Sequence, residues 1–298
     1  MILLSIAIPT FNRANKLDKQ LECLANWKGD LASITIRVHD NASTDETSSI
    51  LEKWRTKLGS RLTSHRHDKN LGLVGNYLSC IETCKTTHVW VMGDDDVIHE
   101  AGANAVLREV IQHPETGIFA LNYCPISGTS GLILKKAALP EDMNERFPDG
   151  RDFVEACQRF EFGSLMFITA VVLHAETARE IIEASPIPTT NLVLPFYIPA
   201  AISARKGGRL VKEIVFDGFY GVGSWKKQEF QVFYLQMPLV LEQLILRYGM
   251  GKGLLDQYLA RYAIKLFKPG RRMVKTPLLW LKAVKMALRI LKLQRSLP

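Results

Sequence analysis

The chain has 298 residues, enough for one large α/β domain with an appendage or for two small domains. Hydrophobic residues make up 47% and charged residues 23%, which excludes global disorder, and no run of about 18 uncharged apolar residues offers a membrane-spanning helix. The net charge of +8 is a property of the tail: from Arg261 onward there are eleven Lys or Arg and no Asp or Glu, whereas the other 27 basic residues face all 30 carboxylates, a balance of −3.

Met1 to Pro9 is apolar but short, has no basic lead and stops at Pro9, so it reads as a buried strand (Leu3 to Pro9) and not as a signal peptide. Helical periodicity follows over Asn15–Trp27. Ile34–His39 is β-branched and alternating, and ends in Asp40-Asn-Ala-Ser43-Thr44-Asp45, where Ser43 or Thr44 is placed to cap a helix reaching Leu58. A short strand near Leu62–His67 leads to Asn70-Leu-Gly72 and a helix over Val74–Lys85. Val89–Met92 is a buried strand running into Gly93-Asp94-Asp95-Asp96, and a helix over Ala101–His113 and a strand over Gly117–Tyr123 complete the first half. Ser127–Asp149 reads as loop. Leu165–Leu173 predicts a strand ending at His174, followed by helices over Ala175–Ala184 and Asn191–Ala204 and a strand over Arg209–Phe216. Gly218–Trp225 reads as an aromatic, glycine-rich loop, and helix is expected from Lys227 to the end.

Strands alternating with helices of ten to fifteen residues imply βαβ units on a mixed, mainly parallel sheet. Ligands of such sheets bind beyond the carboxyl ends of the strands. Three polar clusters fall there: Thr10-Phe-Asn12-Arg13, Asp40-Asn41 and Asp94-Asp95-Asp96. Adjacent aspartates repel and need a cation, donors or full solvation. A hard divalent ion beside a diphosphate meets that need, since one or two carboxylates hold it and phosphate oxygens complete its shell. The plain alternative is a solvated turn. The five cysteines, Cys23, Cys80, Cys84, Cys124 and Cys157, show no CxxC spacing and read as reduced, mostly buried thiols.

Ser5-Ile-Ala-Ile-Pro9-Thr10-Phe-Asn12-Arg13, His39-Asp40-Asn41-Ala-Ser43-Thr-Asp45, Asn70-Leu-Gly72 with Asn76, and Trp90-Val-Met-Gly-Asp94-Asp95-Asp96 occur in order. Together they resemble the nucleotide-binding half of family-2, GT-A-fold glycosyltransferases over residues 1–125. They are also similar to the branch that holds bacterial O-antigen sugar transferases of the abequosyltransferase kind. The resemblance implies a Rossmann-like GT-A domain over 1–225, with a donor half (1–125) and an acceptor half (126–225), and a helical basic extension over 226–298. It implies that Pro9, Thr10, Asn12 and Arg13 line the base and phosphate pocket and that Asp40 binds the base. Asn70, Gly72 and Asn76 frame the sugar-nucleotide pocket, Asp94 approaches the ribose, and Asp95 or Asp96 holds Mn²⁺ or Mg²⁺. Many relatives show Asp-x-Asp-Asp, and here Gly93 stands where the first aspartate falls.

One departure concerns the general base. Inverting relatives carry a Glu-Asp pair where this chain has Thr189-Thr190-Asn191-Leu192, and neither Asn nor Thr takes a proton at neutral pH. Either another group is the base or the reaction follows a different stereochemical course; for a base, His174 at a strand end is the candidate, with Glu161 and Asp217 as alternatives. Trp225 and Lys226, in the glycine-rich segment, are expected to form a lid over the sugar and diphosphate, or else a plain surface loop.

After Pro277, Lys282, Lys285, Arg289 and Lys292 share one helical face, which predicts a basic amphipathic helix on an anionic membrane surface or a helix packed on the domain. The expected protein is therefore a cytoplasmic, peripheral, metal-dependent transferase that moves a sugar from a nucleotide sugar to a glycan acceptor, lipid-linked in surface polysaccharide synthesis. A non-catalytic sugar-nucleotide scaffold and a sugar nucleotidyltransferase are the alternatives; the latter normally shows a glycine-rich N-terminal loop that Pro9-Thr-Phe-Asn12 is not. The −3 balance of the main body argues against a nucleic-acid partner.

Overall fold

The run Leu4-Ser-Ile-Ala-Ile8 shows no polar alternation because both of its faces are covered. In a computed structural model that describes residues 3–29, 33–147, 149–221, 228–266 and 277–297, it forms strand β1 (Leu4–Thr10). β1 lies between β2 (Ile34–Asp40) and β4 (His88–Val91), parallel to both, and β3 (Leu62–Arg66) adds in parallel outside β2. The order β3-β2-β1-β4-β8-β6-β9-β5 continues the sheet through β8 (Val171–His174), β6 (Ile118–Ser127), β9 (Gly208–Tyr220) and β5 (Val97–Ile98), with β7 (Arg146–Phe147) on β9. β8 is antiparallel to both neighbours, so β6 and β9 run in the direction of β1, β2 and β4. The carboxyl ends of all these parallel strands therefore open on one edge of the sheet.

Helices α1 (Ala14–Asn26), α2 (Thr47–Leu58), α3 (Gly72–Glu82) and α4 (Glu100–Gln112) return the chain between strands. α1 buries Leu17, Leu21 and Leu24 at helical spacing, as the periodicity required. Neither Ser43 nor Thr44 caps α2. Asp45 does related work: Oδ1 accepts from the Thr47 amide at 3.2 Å and its hydroxyl at 2.6 Å, while Oδ2 accepts from the Ala14 amide at 2.9 Å. One carboxylate thus ties the starts of α1 and α2 together.

Several expectations change in the second half. The expected strand over Leu165–Leu173 is two 3₁₀ turns, Ser164–Met166 and Ile168–Ala170, before the short β8. Helix α5 (Gly150–Phe160), where no element is expected from the sequence, is capped by Asp149, which accepts from the Arg151 amide at 2.8 Å, and buries Phe153, Val154 and Cys157. β9 extends through Gly218–Tyr220, part of the expected loop. α6 (Ala175–Glu183) and α7 (Leu194–Lys206) follow expectation closely.

The C-terminal helices α8 (Glu229–Gln231), α9 (Met237–Tyr248), α10 (Lys252–Tyr258), α11 (Ile264–Leu266) and α12 (Pro277–Ser296) are joined in part by π-helical segments at Val232–Gln236 and Leu259–Ala263. α9 packs on α7 and α10 on α5. α12 buries Ala283, Ala287 and Ile290 completely against this layer. Its Arg289 pairs with Glu242 of α9 at 2.6 Å, and Trp280 donates to the Leu266 carbonyl at 3.1 Å. Leu278, Leu281 and Leu288 remain exposed among Lys282, Lys285 and Lys292. No helix among the described residues is long and apolar enough to cross a membrane.

The start of α5 is pressed against α7. The Ser203 hydroxyl donates to the Gly150 carbonyl at 2.8 Å, and a Cβ on Gly150 would overlap the Ser203 carbonyl. Gly150→Ala is expected to cost roughly 1–3 kcal/mol or more by overpacking. Denaturant unfolding checks this, and an unchanged midpoint would show that the helices part freely.

Candidate active site at the strand ends

Asp94, Asp95 and Asp96 follow β4 at the open edge of the sheet. Gly93 makes their arrangement possible. A Cβ there would lie 2.6 Å from Asp96 Oδ2, in the space that the Asp96 carboxylate occupies. The missing first aspartate of the usual pattern is thus replaced by room for the last one. Asp96 turns in to accept from the Thr169 hydroxyl, whose oxygen accepts in turn from the Gly93 amide at 2.8 Å.

The other two carboxylates face the β1–α1 connection. Asp94 Oδ2 accepts from Thr10 Oγ1 at 2.8 Å, and Asp94 Oδ1 lies 2.6 Å from Arg13 Nη1. Oδ1 is therefore buried and ion-paired with the Arg13 guanidinium. Asp95, more exposed, pairs with both Arg13 and Lys16, the latter at 2.7 Å. Burial first, then the neighbouring carboxylates, hold Asp94 and Asp96 up to about 6 against the opposing pull of Arg13, Thr10 and Thr169. For Asp95 burial is outweighed by Lys16 and Arg13, which leave it below the usual carboxylate range.

The remaining motif residues form one network beside this cluster. Asn12, in the left-handed region at φ 52°, accepts from the Thr44 amide at 2.7 Å, and its own amide donates to Ser43 Oγ at 2.9 Å. Asp40 is buried, accepts from the Ser43 amide at 2.9 Å and pairs with Arg66 at 2.6 Å. Asn41 joins it to the next loop by donating to Asn70 Oδ1 at 2.9 Å, and Asn70 accepts from the Gly72 amide at 2.7 Å. Asn76 is buried on α3; it donates to the His39 carbonyl at 3.0 Å and meets His67 Nε2 at 3.1 Å. Pro9 stands opposite His39 in the β1–β2 register. Thus Pro9, Thr10, Asn12, Arg13, Asp40, Asn70, Gly72, Asn76 and the three aspartates share one edge. Trp225 and Lys226 lie outside the described residues.

His174 is not brought to this edge. It pairs with His88 at the start of β4, while the aspartates follow the end of that strand, a separation of about 15–20 Å at the usual rise per residue. The expectation that His174 ends a strand at the ligand edge fails because β8 runs antiparallel to β4. There His174 Nδ1 accepts from Thr177 at the start of α6, and burial, followed by Lys206, lowers its pKa. Asn191 has no acid–base place either, since it accepts from the Val193 amide at 2.8 Å before α7.

Three site residues were missed. Lys16 follows Arg13 by three residues on the first turn of α1, so helical spacing was a usable signal. Arg66, at the end of a strand next to β2, could have been paired with Asp40. Thr169 carried no signal, because its role depends on the 3₁₀ turns.

The open-edged α/β sheet with an acidic triplet after its central strand defines a GT-A glycosyltransferase. The chain belongs to glycosyl transferase family 2, whose model matches residues 5–166, as the motif resemblance implied. It is similar to abequosyltransferase RfbV of Salmonella typhimurium, with 32% identity over 97 residues that cover 33% of this chain and 29% of that protein. The match therefore spans less than a third of that relative. Its fold is similar to S. aureus TarS 1-349, with a TM-score of 0.68 at 12% identity over 97% of this chain and 80% of that one. The same TarS fragment in complex with UDP-GlcNAc gives a TM-score of 0.68 at 12% identity, over 97% of this chain and 81% of that one.

The raised pKa of Asp96 sets a stability signature. The folded carboxyl holds its proton to about 6, above the model-peptide value of about 4, so its contribution is full at low pH and is lost as pH rises through about 6. Asp96→Asn removes that loss. The variant is expected to melt above wild type at neutral pH and to lose this advantage near pH 4, as read by thermal unfolding across pH without ligands. A difference independent of pH would contradict the assignment.

Proposed function

We propose that this glycosyltransferase takes its sugar from a nucleotide sugar and passes it to a lipid-linked glycan acceptor, in assembly of a surface polysaccharide of the O-antigen type. The observation that carries the donor half is the acidic triplet at the strand ends, with Arg13, Lys16 and Thr10 reaching it from β1 and α1. The partial likeness to an abequosyltransferase supports the acceptor class, and the TarS complex with UDP-GlcNAc supports a nucleotide-sugar donor.

The donor set suits a divalent ion. Asp95 and Asp96 offer hard oxygens and Asp96 is held up to about 6, although among the described residues no three acidic, histidine or cysteine side chains already converge on one point. Asp95 and Asp96 would hold Mn²⁺ or Mg²⁺, which supplies charge stabilisation for the departing nucleoside diphosphate. Arg13 and Lys16, released from Asp95, would face the phosphates, and Asp94 would orient the ribose. Asp40, fixed by Arg66, and Asn76 would shape the base pocket. An inverting transfer needs a base beside the acceptor hydroxyl. Glu161 lies by the Tyr123 and Tyr220 phenols, and Asp217 stands opposite both Val97 and Cys124 in register.

Thermal shift with UDP-, GDP-, CDP- and dTDP-sugars, with and without Mn²⁺, tests the donor reading. One nucleotide class should stabilise wild type in a metal-dependent way, and Asp95→Asn should lose most of that shift. Metal-independent stabilisation equal in both proteins would sink it. Glu161→Gln and Asp217→Asn should divide, one keeping donor binding while transfer falls by about 10²-fold or more; full activity in both would place the base elsewhere.

The basic face of α12 is the second element of this proposal, lying on an anionic lipid leaflet with its buried ridge on the protein. Because Ala283, Ala287 and Ile290 are core residues, deleting the helix is not an informative test. Lys282→Glu, Lys285→Glu and Lys292→Glu together should abolish flotation with anionic liposomes while leaving the melting temperature unchanged. Undiminished flotation would remove α12 from the membrane contact.

A further inference from the structure

Between β6 and α5 the chain makes a tight excursion that the glycosyl-transfer chemistry does not use. Its tip carries Leu132, Ile133 and Leu134, three consecutive aliphatic residues with exposures of 67%, 65% and 55%, followed by the exposed Lys135 and Lys136. The tip is not loose chain. The Ser127 amide donates to the Leu132 carbonyl at 2.8 Å, the Gly131 amide to the Ser127 carbonyl at 2.7 Å and the Leu134 amide to the Pro125 carbonyl at 2.8 Å. Ile133 bridges to Ile126, and the Gly128 amide is tied to the Tyr220 carbonyl of β9 at 2.8 Å. A backbone held at so many points presents these side chains to solvent in one fixed place, which is costly unless something apolar covers them.

The placement says what covers them. The tip leaves from the carboxyl ends of β6 and β9, the same edge of the sheet that carries Asp94–Asp96. It is also linked to the C-terminal helices. Lys135 pairs with Glu161, the next residue Phe162 meets the Tyr262 ring at a tilt, and the π-helical segment holding Tyr262 packs against α12. Aliphatic tip residues with lysines directly behind them match the layering of a bilayer surface, with acyl chains below and anionic headgroups above. A soluble protein partner would offer no reason for that order of apolar then basic.

We infer that Leu132-Ile133-Leu134 is a membrane-inserting tip, with Lys135 and Lys136 at headgroup level, that sets the donor edge against a lipid surface. The inference rests on the lipid-linked acceptor reading and adds a second, independent point of attachment to α12. Two contacts fix an orientation where one helix leaves the enzyme free to roll.

The test uses the full chain with Ile133→Trp and vesicles of phosphatidylcholine with about one-third phosphatidylglycerol, their acyl chains brominated or not. The introduced indole should be quenched several-fold more by brominated chains than the native tryptophans of wild type. In parallel, Leu132→Ser, Ile133→Ser and Leu134→Ser together should weaken vesicle binding about tenfold with an unchanged melting temperature and unchanged donor binding. If the Ile133→Trp protein floats with vesicles yet its added fluorescence escapes quenching, the tip inference is overturned while α12 attachment stands. If the triple variant keeps full vesicle binding but loses self-association in light scattering, the tip is a contact between copies and the inference fails. Failure of the donor thermal shift, by contrast, defeats the functional reading and leaves the quenching result to be judged by itself.

Discussion

Three carboxylates on consecutive residues at the end of a buried strand repel each other, and the surrounding structure is organised around that repulsion. Thr10 and Arg13 reach Asp94 from the end of β1, Lys16 and Arg13 hold Asp95 from α1, and Thr169 holds Asp96 from the far side of β4. Two cations stand against three acids. The shortfall falls on Asp94 and Asp96, which burial keeps partly protonated near pH 6. The divalent ion proposed above would offset that deficit.

The rest of the strand-end edge depends on this cluster being fixed. Arg13 stands where it does because the β1–α1 turn is locked to the β2–α2 turn, through Asn12 to Ser43 and Thr44 and through Asp45 to Ala14. That second turn is held by buried Asp40 with Arg66, and Asn41 passes the restraint to Asn70 and Gly72. Asn12 and Ala42 sit at positive φ within these turns, local strain that the network holds in place. Four loops from four strands thus behave as one wall.

Much of this wall was legible because it is written locally. Apolar runs ending in Asn, Asp or Thr identify strand ends, and the rule that ligands gather there needs no knowledge of the tertiary structure. What escaped was set by direction and long-range packing. Periodicity gives a strand its faces but not its sense, so the reversal of β8 was invisible and His174 was assigned to the wrong edge. The apolar run before β8 reads as strand by composition, yet Gly163 at φ 93° starts it as 3₁₀ turns that present Thr169 to Asp96. In the tail, basic composition was plain, whereas the ridge of Ala283, Ala287 and Ile290 that docks α12 is defined only by the helices it meets.

The proposed role of Asp95 and Asp96 is to hold a divalent ion against a nucleoside diphosphate. Crystals soaked with Mn²⁺ and the diphosphate of the nucleotide class that stabilises the protein would test it by anomalous scattering. A single manganese peak between those two carboxylates and the diphosphate, with Arg13 and Lys16 turned to the phosphates, is the predicted result. A well-ordered diphosphate at the strand ends with no peak there, or with Arg13 and Lys16 still closed on Asp95, would contradict it.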